Sequence, residues 1–166
     1  LDSALRYELV ESEASRVSRP PEAHRRATVR ERRLTTVEER QIEARLIAPE
    51  GFQYPERFQR VLAQDPLPEI DPFMWTSEYE NQATDWVDIV GKQYPTRSLV
   101  PFAKHQDTDD VFCFDGGDRS GNPPVLIIHT FASPGTEYRG QWTSFDVWWE
   151  EMEEHRAAWL AEQEED

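Results

Sequence analysis

Six residues that could bear chemistry crowd one short stretch: His105, Asp107, Asp109, Asp110, Asp115 and Asp118. Cys113 lies among them, and His129 follows in the next apolar run. Closely spaced carboxylates suggest a hard cation, a glycine-rich loop suggests a phosphate, and a Cys–His pair suggests a nucleophile with its base. Spacing argues against each. A calcium loop of the EF-hand type needs oxygen donors at alternate positions and a closing Glu. In "DGGDR" the acids stand three apart and Arg119 follows at once. A phosphate loop leads into a helix N-terminus. This one leads into the apolar run "PVLII", and its acids would repel phosphate. The loop 115–118 therefore reads as a turn, with Gly supplying positive φ and Asp side chains bonding local N–H groups.

The acids of "KHQDTDD" could gather a cation with Asp115, yet nothing fixes a ligand geometry. They read equally as a solvated loop or as a surface for a basic partner. His129, in "LIIHTF", reads as a hydrogen-bonded, partly buried side chain. Cys113, inside "VFCF", reads as a buried inert thiol. A Cys113–His129 dyad would need adjacent strands in the right register. Ser133 lacks the Gly-x-Ser-x-Gly elbow. Trp148, Trp149 and Trp159 read as packing residues. No catalytic residue, metal ligand or cofactor is expected.

Charge narrows the partners. The net charge is −15 over 166 residues, which argues strongly against a nucleic-acid partner, whose binding depends on neutralising phosphates. It also disfavours an anionic membrane surface and would attract a basic protein or a cation. With a single cysteine no internal disulfide and no zinc-ligand spacing exist. No run reads as a signal peptide or membrane span, so a cytoplasmic setting is the expectation. Charge is also uneven. Residues 16–33 hold seven Arg against two Glu, while residues 146–166 hold nine acids against Arg156. Residues 1–33 thus form a basic arm and residues 34–166 the folded domain.

Elements must position these groups. "LTTVEERQIEARLIAPEG" predicts a helix with a capping box at Thr35/Glu38 or Thr36/Glu39, its apolar face on Val37, Ile42 and Leu46. "YPERFQRVLAQDP" predicts a second, with Phe58, Val61 and Leu62 inward. An irregular, proline-bounded segment follows. A helix then starts from Ser77, burying Tyr79, Trp86, Ile89 and Val90, with Gly91 as its C-cap. "SLVPFAKH", "DVFCFD" and "PVLIIHTF" predict strands. Pro101 marks an edge or a bulge, and the last two form a hairpin. "SPGTEYRG" reads as a turn. "TSFDVWWEEMEEHRAAWLAEQ" predicts a helix capped by Thr143 or Ser144, with Phe145, Trp148, Met152 and Trp159 on one stripe. Helices, then strands, then a helix make an α+β order.

Several of these runs carry more than periodicity. Pro101-Phe102-Ala103, Asp109-Asp110 with Cys113-Phe114-Asp115, the ungapped "HTFASPG" of residues 129–135, and Ser144-Phe145 with Trp148 are arranged as in one known group. Together they resemble the SUKH superfamily, which includes the yeast cell-wall assembly regulators and many bacterial immunity proteins. "YPERFQRVLA" is similar to the family's early Pro-containing helix. The resemblance covers residues 35–166 and leaves the arm without a counterpart. It accords with an α+β fold, a small antiparallel sheet of about four to six strands packed against helices. It implies a binding protein that neutralises a cognate polymorphic toxin by occluding or distorting its active site. The acids Asp107, Asp109, Asp110, Asp115 and Asp118, with Glu78 and Glu80 as secondary contacts, would then meet a basic toxin domain. Two other readings stand beside it. One is a regulatory scaffold using the Arg-rich arm for docking. The other is a metal-dependent enzyme using the Asp cluster and His129.

Overall fold

The structure, a computed structural model, describes residues 33–133 and 138–164. The basic arm, save Arg33, lies outside the described residues. The chain runs α1 (Val37–Ile47), α2 (Glu56–Leu62), β1 (Phe73–Trp75), α3 (Gln82–Gln93), β2 (Leu99–His105), β3 (Asp110–Asp115), β4 (Val125–His129), β5 (Tyr138–Trp142) and α4 (Phe145–Glu164). The strands form a five-stranded antiparallel sheet in the order β1-β2-β3-β4-β5. The fold is α+β, as expected.

β3 is central, and every residue from Asp110 to Phe114 is buried. Its continuous apolar run is explained by cover on both faces. On one face Phe112, Phe114, Val125 and Ile127 join Phe58, Val61 and Leu62 of α2 and Phe145, Trp148 and Met152 of α4. Aromatic rings dominate this core: Phe102 stacks on Phe114 at 4.3 Å between centroids and meets Trp148 edge-on at 4.9 Å. Each such ring removes a large area from water and adds a directional contact. On the other face Val111, Cys113, Leu126 and Ile128 pack on Val90 and Tyr94, at the C-terminal end of α3.

Two strands were not expected. β1 emerges from the proline-bounded segment by pairing Phe73 with His105 and Trp75 with Ala103. β5 forms where a turn was read, its Gln141 and Trp142 pairing with Leu126 and Val125. β1 pairs with β2 only from Ala103 to His105, so Pro101 lies past its end, and the register slips between Pro101 and Ala103, the bulge that was one of the two options. The carbonyls freed there accept from Thr76: its N–H reaches Phe102 O (2.9 Å) and its hydroxyl reaches Pro101 O (3.3 Å).

Two local expectations need correction, while the capping box is formed by Thr36 and Glu39, one of the two pairs expected. Thr35 instead donates its hydroxyl to Ser77 O at 2.6 Å. The expected apolar face of α1 points outward, with Ile42 and Leu46 exposed and Arg40 and Glu43 buried in their place. Finally, α3 starts at Gln82 rather than Ser77, and Gly91 lies within it. Its C-cap is Tyr94.

Arg40 and Glu43 explain why α1 inverts. Arg40 donates to Thr35 O (2.7 Å), to Leu62 O (3.2 Å) and to Gln64 O. A cation thus satisfies carbonyls at the end of α2, where the helix dipole is negative. Glu43 accepts from the backbone N–H of Thr84 (3.1 Å) and from its hydroxyl (3.0 Å), in the first turn of α3. Asn81 offers α3 no side-chain cap, so Glu43 supplies one from a neighbouring helix. One helix caps two others with charges of the correct sign.

Candidate binding surface

The seven acids singled out above occupy three separate places. Asp107 and Asp109 lie exposed in the β2–β3 loop, with Asp110 at the start of β3. Asp115 closes the other end of that strand and Asp118 lies just beyond it. Asp110 and Asp115 are five strand steps apart, about 17 Å, so no single carboxylate cluster forms. Glu78 and Glu80 belong to the turn between β1 and α3. Among the described residues, no group of three or more His, Cys, Asp and Glu is placed to hold a metal ion.

Asp110 is not a surface acid. It is buried, and its Oδ1 lies 2.8 Å from Nδ1 of His129. The hairpin register makes the pair. Phe114 faces Val125, so counting back four residues on β3 and forward four on β4 brings Asp110 opposite His129. Side chains alternate between faces along a strand. Asp110 and His129 therefore stand on the side of Phe112 and Ile127, whereas Cys113 faces the α3 side. The register thus keeps Cys113 and His129 on opposite faces of the sheet. Burial pushes the Cys113 thiol well above its ordinary pKa, which removes the thiolate a nucleophile needs.

Around the exposed pair the field is mixed. Lys104 is half-buried, donates to His105 O at 2.7 Å and lies 5.6 Å from the centroid of the Trp86 ring. Burial lowers its pKa, opposed by attraction to Asp109 and Asp107. His105 is lowered as well, with burial outweighing the pull of Asp107 and Asp110. Its Nδ1 accepts the Asp107 N–H at 3.1 Å. The Asp109 carbonyl accepts from Thr130 through both its N–H (2.9 Å) and its hydroxyl (2.8 Å). That anchors the loop while the Asp107 and Asp109 side chains face solvent.

At the far end the acids build their own loop. Asp115 Oδ1 accepts from Gly117 N–H (2.9 Å) and Asp118 Oδ1 from Ser120 N–H (2.7 Å). The hydrogen bonds from Ser120 hold the Asp118 carboxyl below its usual range. This is the turn role that the spacing suggested, with one change. Positive φ falls on Gly121, at 80°, and not on the Gly-Gly pair. Gly116 is closely packed, since a Cβ there would lie 3.1 Å from the Ser98 carbonyl oxygen and from Pro49 Cγ. Glu78 is half-buried, and burial followed by the nearby Asp71 raises its pKa. Glu80 is exposed and sits 3.9 Å from Arg33.

Among the exposed large apolar side chains are Leu34, Ile42 and Leu46, on or just before α1, and Phe131, just after β4. Phe131 has φ of 62°, with its N–H held by Gln93 Oε1 at 3.0 Å. Neither feature was legible in the sequence. Periodicity placed Ile42 and Leu46 inward, and Phe131 read as the end of a strand. No helix among the described residues is long and apolar enough to cross a membrane. Comparison with family models, with curated proteins and with solved structures gives no match.

Proposed function

We propose that this chain is an immunity protein: a stoichiometric, non-enzymatic inhibitor that binds a cognate bacterial toxin domain in the cytoplasm and occludes or distorts its active site. The reading rests on the resemblance of residues 35–166 to the SUKH superfamily, together with the charge of −15. The observation that carries its electrostatic part is the pair Asp107 and Asp109, exposed on a loop pinned at both ends. Such carboxylates stay hydrated in the free protein and are available to a Lys- or Arg-rich surface. Asp110, Asp115 and Asp118 act through the fold, holding His129 and the β3–β4 loop in place.

The test is titration of the chain against the toxin encoded beside its gene, over a salt series. Replacing Asp107 and Asp109 with Asn should slow association about threefold or more and flatten its salt dependence. Asp110→Asn should lower stability while leaving that salt dependence intact. Unchanged affinity and an unchanged salt slope in the Asp107/Asp109 double variant would sink the electrostatic reading. Failure to bind any linked toxin would sink the immunity reading itself.

A further inference from the structure

A groove of about 450 Å³ runs between the segment 66–70, which leads into β1, and the first three turns of α4. Its walls include Leu67, Ile70, Trp148, Trp149, Met152 and Arg156. Among the described residues three buried side-chain polar atoms have no hydrogen-bond partner: Ser77 Oγ, Trp148 Nε1 and Arg156 Nε. Two of the three, both donors, belong to side chains that line this groove. Trp148 is wholly buried. The contrast with other indoles is direct. Trp75 donates to Pro68 O at 2.8 Å and Trp142 to Glu151 at 2.7 Å. An orphaned buried donor is costly and marks a place where an acceptor belongs.

We infer that this groove binds an extended peptide segment of a partner protein, seated by one large apolar side chain and a backbone carbonyl that accepts from Trp148 and Arg156. The volume lies in the range of ligand sites and exceeds that of one bulky side chain, leaving room for the flanking backbone. Met152, unbranched and flexible, can shift to admit the chain to the indole. Charge selects the partner. Glu69 and Glu153 line the groove and outnumber Arg156, and the chain as a whole repels free anions. A neutral carbonyl beside Lys or Arg satisfies the donors without meeting that repulsion. The Arg156–Glu69 contact, at 3.4 Å to a largely exposed carboxylate, is weak enough to give way. This inference does not depend on the toxin reading, since it stands on the groove alone.

The experiment follows the tryptophan indole N–H signals by ¹H–¹⁵N NMR while the intact chain is titrated with three blocked tripeptides: acetyl-Lys-Phe-Lys-amide, acetyl-Lys-Ala-Lys-amide and acetyl-Glu-Phe-Glu-amide. Trp148→Phe identifies the key signal by its loss, removing the donor together with part of the buried ring. The Lys-Phe-Lys peptide should move the Trp148 and Trp149 signals saturably. The alanine peptide should leave them still, and the acidic one should bind more weakly. Arg156→Lys, which keeps the charge and loses the fixed Nε–H donor, should weaken Lys-Phe-Lys about fivefold. Trp86 reports the opposite face of the sheet and should not respond. A still Trp148 signal, or equal shifts with the phenylalanine and alanine peptides, would overturn the inference.

Discussion

His105 shows how a single side chain can set the pH response of a fold. It is half-buried between Phe73, whose ring it meets edge-on at 5.3 Å, and the acidic loop. Burial holds its pKa below the unfolded value of about 6.5 despite the neighbouring acids. The unfolded chain therefore binds the extra proton first. Between the two pKa values the unfolded state carries more protons, so stability rises with pH through that window and is lost on acidification below about 6.5. Replacing His105 with Gln should flatten the dependence of the urea midpoint on pH between about 7 and 5. If the wild-type and variant slopes coincide, His105 is not the group responsible. The same residue marks what sequence reading finds and misses. His105, Asp110 and His129 were all legible as candidates. The Asp110–His129 contact was not, because it follows from the register and not from either residue. Counting outward from the loop 116–124 would have supplied it.

At the level of elements, α1 is where periodicity misled. Hydrophobic spacing placed Ile42 and Leu46 inward because burial of apolar area is normally the larger gain. Here the buried positions answer a different need. The short helix α2 ends with carbonyls in the protein interior, and α3 starts without a cap of its own. Arg40 and Glu43 meet both needs at once. Removing the guanidinium in Arg40→Met should leave those carbonyls without their charged donor and cost about 2–4 kcal/mol. Glu43→Gln keeps an oxygen acceptor for Thr84 and loses only the charge at the α3 N-terminus, so it should cost about 0.3–1 kcal/mol. Chemical denaturation of both variants checks the ordering, and an equal cost would mean that burial of the stems matters more than the caps. The other helices and the three apolar strands were legible because burial decides them. β1 was not, being three residues long and given its state by β2. β5 was not either, since "YRGQW" has no apolar alternation and contains a glycine.

For the molecule as a whole, the dominant long-range force is self-repulsion. The chain carries 33 acids against 18 Lys and Arg. The described local ion pairs, such as Arg33–Glu39, Arg57–Asp146 and Arg60–Glu56, lie at the surface and contribute little each. Along α4, Glu162 and Glu164 approach a C-terminus with no basic residue in its last turn, against the preference of the helix dipole. What holds the fold against this charge is the two-faced sheet. Its β3 residues are sealed by aromatic rings on one side and by Val90 and Tyr94 on the other. Two opposing salt effects follow. Screening weakens the surface pairs, and it also weakens repulsion among excess acids that folding brings close together. With an imbalance of −15 the second effect wins. Raising NaCl from about 0.01 to 0.15 M, which shortens the screening length from about 30 to 8 Å, should therefore raise the Tm by a few degrees. Scanning calorimetry at the two salt concentrations decides the matter. A falling Tm would mean that specific ion pairs, and not net repulsion, govern the stability of this fold.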